Sequence, residues 1–254
     1  MCTSQDTEEW FTCRIGKVTA SRLSDAMAKL SRASKNGSKG DWAAAHLKYV
    51  SELAWGMITQ VPADHYVSKE MDLGKAFERK ARGEYQYRFG EDVDLTGFVL
   101  HPDLNFFGAS PDGLCGTVGG VEIKVPKVST HQTYIEADAI PEEYYMQMIG
   151  GMCCCTDKEP REWWDFVSFC PASEDFGYEA QAMPDEMRMF RKRLHRDEVP
   201  KETWEAVRET AILTMEEALA KVQWIRERYP QAQKKPPKED LSGYLTEEEI
   251  ARYI

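Results

Sequence analysis

No apolar run in the sequence approaches the length of a bilayer span, so no membrane-spanning helix is expected. The first twenty residues, MCTSQDTEEWFTCRIGKVTA, lack a basic start followed by an apolar core, and no signal peptide is expected either. Together these absences predict a cytosolic protein. Internal repeats and low-complexity tracts are missing. Histidine is scarce: His46, His65, His101, His131 and His195 show no zinc-type spacing and read as surface or core residues. Cysteine occurs seven times, an odd number, and Cys153, Cys154 and Cys155 are consecutive. That pattern excludes a disulfide framework and suits reduced thiols, packed as small buried residues on a helix. Positive charge is lacking overall: a net charge of −11 argues against a generic binder of polyanions.

The positive charge that is present is concentrated. Between Arg14 and Gly40 stand seven basic residues (Arg14, Lys17, Arg22, Lys29, Arg32, Lys35 and Lys39) against one acid, Asp25. A local basic surface on an acidic body is compatible with nucleic acid bound at one place, and equally with a solvated lysine-rich loop.

The pattern along the chain predicts both helices and short strands. A helix is expected from about Thr19 or Ser21, with Leu23, Met27 and Leu30 on one face, followed by a small, polar, basic and mobile loop at SRASKNGSKG. Trp42 to Met57 reads as a second helix. Leu73, Phe77, Ala81 and Tyr85 recur four apart in a long amphipathic helix that stops at Gly90. The texture then changes to strands at VDLTGFVL, NFFGAS and GVEIKV, with TVGG as a hairpin turn. PEEYYMQMIGGMCC returns to helix, EWWDFVSFC to strand, and from Pro184 to about Tyr229 the chain reads as helical. PQAQKKPPKED reads as a connector and LTEEEIARYI as a short terminal helix. The expected fold class is α/β (α+β), a central mixed sheet flanked by helices. The expected organisation is one domain over 1–229, its core motifs in 10–170 and its helical region in 184–229, followed by 230–254 as connector and terminal helix.

The chemistry concentrates in SPDGLCGTVGGVEIKVP, residues 110–126. Residues two apart on a strand share a face, so Glu122 and Lys124 project one way while Val121, Ile123 and Val125 project into the core. Asp112 lies on or near the preceding strand, returned by the glycine-rich turn. Two carboxylates brought together repel unless a cation is held between them. Mg²⁺ suits such a pair, because it uses one or two carboxylates, keeps several waters and completes its shell with phosphate oxygens. The carbonyl of Ile123 is a further oxygen ligand in reach. Lys124 beside the ion would position a water and offset charge developing on phosphorus oxygens. Taken singly, Pro-Asp-Gly is a common turn and Glu-Ile-Lys an ordinary amphipathic strand. Their order and spacing are those of the PD-(D/E)xK nucleases.

Further stretches in the same order carry a more specific resemblance. CRIGKVTASRLSDAM, LGKAFERKAR, GASPDGL, VEIKVP and YYMQMIGGM, over about residues 10–155, resemble phage lambda exonuclease and the YqaJ-type viral recombinases. The resemblance implies a restriction-endonuclease-like core and a Mg²⁺-dependent 5′-to-3′ exonuclease on linear double-stranded DNA, with Mn²⁺ able to substitute. It would leave a 3′ single strand for a single-strand annealing recombinase, and three copies would form a ring. The setting implied is the bacterial host cytosol, for a phage or prophage product. By the same resemblance, Asp112, Glu122 and the Ile123 carbonyl are metal ligands, Lys124 activates the water, and Glu78 is the helical acid that assists. Arg14, Ser21, Ser110 and Gln147 match the pocket for a terminal 5′ phosphate, and the loop from Ser31 to Gly40 would touch duplex backbone. From the residues alone, Glu78 reads as a solvated flank, Arg14 as a partner for an acid, Ser21 as a helix N-cap and Gln147 as solvent-facing.

Two departures stand out. Val125-Pro126 replaces the family's frequent Cys-Pro, and Ile149 stands where a second glutamine is common. Relatives with an iron–sulfur cluster use four spaced cysteines, a pattern absent here, so no cluster is expected. The alternatives are a structure-specific or restriction-type endonuclease with the same metal chemistry, and a non-catalytic DNA-binding protein on a nuclease fold.

Overall fold

Alternation along Gly119–Lys124 gives this strand, β5, two different faces. In the computed structural model, which describes residues 4–5, 7–33, 37–61, 69–156, 159–171 and 183–230 (backbone alone for 69–75), β5 is an inner strand of a four-stranded mixed sheet. Its order is β4 (Gly113–Cys115), β5, β6 (Trp163–Phe169) and β7 (Met189–His195). The outer pairs are antiparallel, and β5 with β6 is parallel. A second, three-stranded sheet sets β3 (Phe107–Ala109) between β1 (Val18–Thr19) and β2 (Val99–Leu100). The chain passes from the smaller sheet to the larger through Ser110-Pro111-Asp112.

Helices cover both faces of the larger sheet. On one side Val121, Ile123, Val167 and Phe169 pack against Ala81 and Tyr85 of α4, Lys69–Phe89. On the other, Trp164, Phe166 and Leu194 meet Met148, Ile149 and Met152 of α6, Glu142–Cys154. Val207, Ala211 and Met215 of α7, Lys201–Arg228, and Leu53 of α3, Ala44–Thr59, complete that core. The remaining helices are α1 (Glu8–Cys13), α2 (Leu23–Ala26) and α5 (Val128–Ala137).

Glutamates 142 and 143 open α6, where acids complement the helix dipole. Farther along α6, two glycines allow close approach. A Cβ at Gly151 would lie 2.7 Å from the Trp164 ring, and one at Gly150 would lie 2.6 Å from Leu23 Cδ1. The helix therefore fits tightly between β6 and the segment around Ala20–Leu23.

The expected class, a mixed sheet flanked by helices, is the architecture found, with the strands divided between two sheets. Three local expectations need correction. The helix expected through Leu30 ends at Ala26, because Leu30 N donates to Asp41 O (2.8 Å) and Lys29 bridges Trp42. Of VDLTGFVL only Val99–Leu100 forms a strand, with Asp94 bridging Leu114. Within 184–229, Met189–His195 is a strand and the long helix starts only at Lys201. That segment pairs with β6 along its whole length, and its two arginines reach a buried acid, Asp165. Residues 231–254, expected as connector and terminal helix, lie outside the described residues, as do 34–36 of the basic loop and His65.

All six described cysteines are free. Burial pushes the thiols of Cys153 and Cys155 up to about 12, which keeps them protonated and unreactive. His46 and His131 are fully buried and hydrogen-bonded, as core histidines must be. Among the described residues no helix is long and apolar enough to cross a membrane.

Candidate active site

Tight seating of α6 brings Gln147 over β5, where its Nε2 donates to Glu122 Oε1 at 2.6 Å. Glu122 is 2 % exposed, and the Lys124 ammonium pairs with the same oxygen. Lys124 also lies 5.1 Å above the ring of Tyr144, which stacks on Phe166. Three elements therefore hold this acid–base pair. Burial pushes the Glu122 carboxyl up; Lys124 opposes this, while Asp112 and Glu78 add to it. For Lys124, burial acts downward but the charges of Glu122 and Asp112 outweigh it and raise its pKa. The amine stands here as an ammonium ion.

Asp112 is anchored across the hairpin: its Oδ2 accepts from Ile123 N at 2.7 Å. Behind it, Arg82 of α4 donates from Nε to the Asp112 carbonyl at 3.0 Å and pairs through Nη2 with Glu78, one turn earlier. Glu78 is thus not simply a solvated flank. It is tied to the Asp112 segment and adds its charge to the field at Glu122.

A cavity of about 270 Å³ opens beside these groups. Arg14, Ser21, Ser110 and Gln147 line it together with Glu122 and Lys124, while Asp112 and Glu78 lie outside its lining. The Arg14 guanidinium stacks 4.1 Å over Trp10, whose Nε1 donates to Ser110 Oγ at 2.9 Å. Ser21 is no N-cap. It sits inside a 3₁₀ turn, Ala20–Arg22, with its Oγ 3.2 Å from Thr19 Oγ1, and Thr19 occupies the cap position. Six of the eight side chains singled out in the sequence therefore meet in one cavity, and Arg82 links the other two behind it. Lys29 of the basic segment lies 4.9 Å over the Trp42 ring, so part of that positive charge is held on an aromatic face.

The donor set suits a hard divalent cation. Glu122 is a buried carboxylate that feels two further acids, Asp112 and Glu78, against the ammonium of Lys124. Among the described residues no three His, Cys, Asp or Glu side chains gather as a ready-made cage.

Trp10, Arg82 and Tyr144 belong to this arrangement but do not stand out in the sequence. Each is a helical neighbour of a residue that does: Trp10 of Arg14, Arg82 of Glu78 and Tyr144 of Gln147.

A YqaJ-like viral recombinase domain matches residues 9–159. No protein of curated function matches. Two crystal structures of LHK-Exo, an alkaline exonuclease from Laribacter hongkongensis, are 32 % identical to this chain. They cover 89 % of it and 99 % of their own length, with TM-scores of 0.72 for the complex with dAMP and 0.70 for the other. A phage-related exonuclease from Haemophilus somnus 129PT shares the fold, with TM-score 0.61, 14 % identity and coverage of 84 % and 96 %. The matched domain spans more than half the chain, and together with the LHK-Exo likeness it makes this protein a member of the YqaJ-like viral recombinase family.

Proposed function

We propose that the chain is a Mg²⁺-dependent exonuclease that shortens the 5′-ended strands of linear double-stranded DNA and leaves 3′ single strands for an annealing recombinase. Family membership and the alkaline exonuclease relatives support a phage-type exonuclease. One observation carries the finer reading: donors suited to a terminal phosphate share a cavity with the Glu122–Lys124 pair. An enzyme that grips an end beside its hydrolytic groups works from ends.

In this reading Arg14, Ser21, Ser110 and Gln147 donate to the 5′ phosphate, with the guanidinium contributing charge-assisted bonds. Gln147 spends one amide hydrogen on Glu122 and retains a second for the phosphate. Asp112, Glu122 and the Ile123 carbonyl would hold the cation, which supplies Lewis-acid polarisation of the scissile phosphate and a more acidic water. Mn²⁺ is expected to substitute. Lys124 orients and activates the attacking water and offsets charge on the phosphoryl oxygens. Glu78, fixed by Arg82, assists from the helix side. The basic segment before Gly40 contacts duplex phosphates, three copies encircle the DNA, and the enzyme works in the bacterial host cytosol.

Digestion of a linear duplex labelled on each strand tests this. The 5′-ended strand is expected to shorten, faster from a 5′-phosphate than from a 5′-hydroxyl, with EDTA stopping the reaction and closed circular DNA left intact. Shortening of the 3′-ended strand first, or cutting of the circle, would overturn it.

A further inference from the structure

Trp10 stands behind two of the four phosphate donors at once. Its Nε1–H donates to Ser110 Oγ at 2.9 Å, and the Arg14 guanidinium lies 4.1 Å over its ring. Arg14 caps the C-terminus of α1, four residues after Trp10, so the helix turn brings the two side chains together. The indole is 8 % exposed, packs with Phe98, and meets Phe11 edge-on at 4.8 Å, so it is held in place. It also lines the cavity beside Ser110 and Arg14.

Each contact has a consequence for an anion in that cavity. A serine hydroxyl carries one hydrogen and two lone pairs. With the indole N–H on one lone pair, the oxygen acts as acceptor toward Trp10 and its hydrogen remains to donate elsewhere. The indole ring under the guanidinium, 4.1 Å from it, fixes where that cation sits beside the cavity. One side chain thus orients two donors from separate elements, one at the end of α1 and one in the link between the sheets.

We propose that Trp10 is the positioning residue of the 5′-end grip, acting through Ser110 and Arg14 to set the preference for phosphorylated over hydroxyl 5′ ends. The inference rests on the exonuclease reading above.

Its test measures kcat and KM on matched duplexes with either end. Trp10→Phe keeps the ring and loses the N–H; it is expected to lower the phosphate-to-hydroxyl preference about fivefold, the effect of one hydrogen bond, mostly through KM. Trp10→Leu, which also loses the stacking face, is expected to lower it about twentyfold. If Trp10 acts through Ser110, adding Trp10→Phe to Ser110→Ala lowers the preference no further than Ser110→Ala alone. Thermal unfolding accompanies each variant, and Trp10→Phe decides the matter if Trp10→Leu does not fold. Equal slowing on both ends with the preference intact would make Trp10 a packing residue and overturn the proposal, as would an undiminished Trp10→Phe effect in the Ser110→Ala background. A wild-type enzyme indifferent to the end group would instead overturn the phosphate-pocket reading beneath it.

Discussion

In the proposed reaction, Gln147 is the side chain at which end recognition and hydrolysis would meet. It donates to the buried carboxylate of Glu122 and lines the same cavity as Arg14, Ser21 and Ser110. Gln147→Ala removes a partner of a proposed metal ligand, and such partners are typically worth about 10–100-fold in activity or metal affinity. The variant is expected to lose activity on that scale and to need more Mg²⁺ for half-maximal cleavage, which a metal titration of the initial rate measures. Glu122 and Lys124 were legible as neighbours in the sequence because a strand fixes which residues share a face. The role of Trp10 was not, because its partner Ser110 lies 100 residues away and the bond exists only after folding. Glu78 shows the same limit: as a helical residue it looks solvated, and only Arg82 reaching back to the Asp112 carbonyl shows where it belongs.

At the level of elements, the position of α4 decides where Glu78 and Arg82 stand. Two turns beyond Glu78, the Tyr85 hydroxyl donates to Asp165 Oδ2 at 2.7 Å in a fully buried contact. Arg193 of β7 grips both oxygens of Asp165, at 2.7 and 2.8 Å, and also reaches Glu91. This network locks α4 onto β6 and β7. Tyr85→Phe leaves a buried carboxylate short of one donor and is expected to cost about 1–3 kcal/mol in urea unfolding. Asp165→Ala removes the shared buried acceptor of Tyr85 and Arg193 and is expected to cost more, about 3–5 kcal/mol. Equal effects from the two variants would show that the carboxylate is not the hub. The same network explains why the sequence misled over β7. MFRKRLH is an edge strand whose run of three basic residues hides its strand pattern, and the acid that Arg193 grips is 28 residues distant. Helix α4, by contrast, was legible from spacing, since Ala81 and Tyr85 are buried as their four-residue interval predicts.

For the molecule as a whole, buried histidines tie stability to pH. His131 donates from Nε2 to Met187 O and accepts the Ser168 hydroxyl at Nδ1, each at 2.7 Å, so it is held neutral. Burial lowers its pKa below the ordinary 6.5, and His101 is lowered to about 4, chiefly by burial with help from Arg208. As pH falls below about 6.5 the unfolded chain takes up protons that the folded chain refuses, so stability present at neutral pH is lost in mild acid. Unfolding midpoints are expected to drop between neutral and mildly acidic buffer, and less steeply in His131→Asn; an unchanged slope in that variant would remove His131 from the account. The junction between the two sheets has a consequence of another kind. Ser110 and Asp112 are separated by a single proline, and two peptide units span at most about 7 Å. In an enzyme working as proposed, holding the terminus and serving the cut are then tasks of one short stretch of backbone. Such an enzyme would carry its own ruler there, and each bite taken from the strand should have the same length whatever bases it contains.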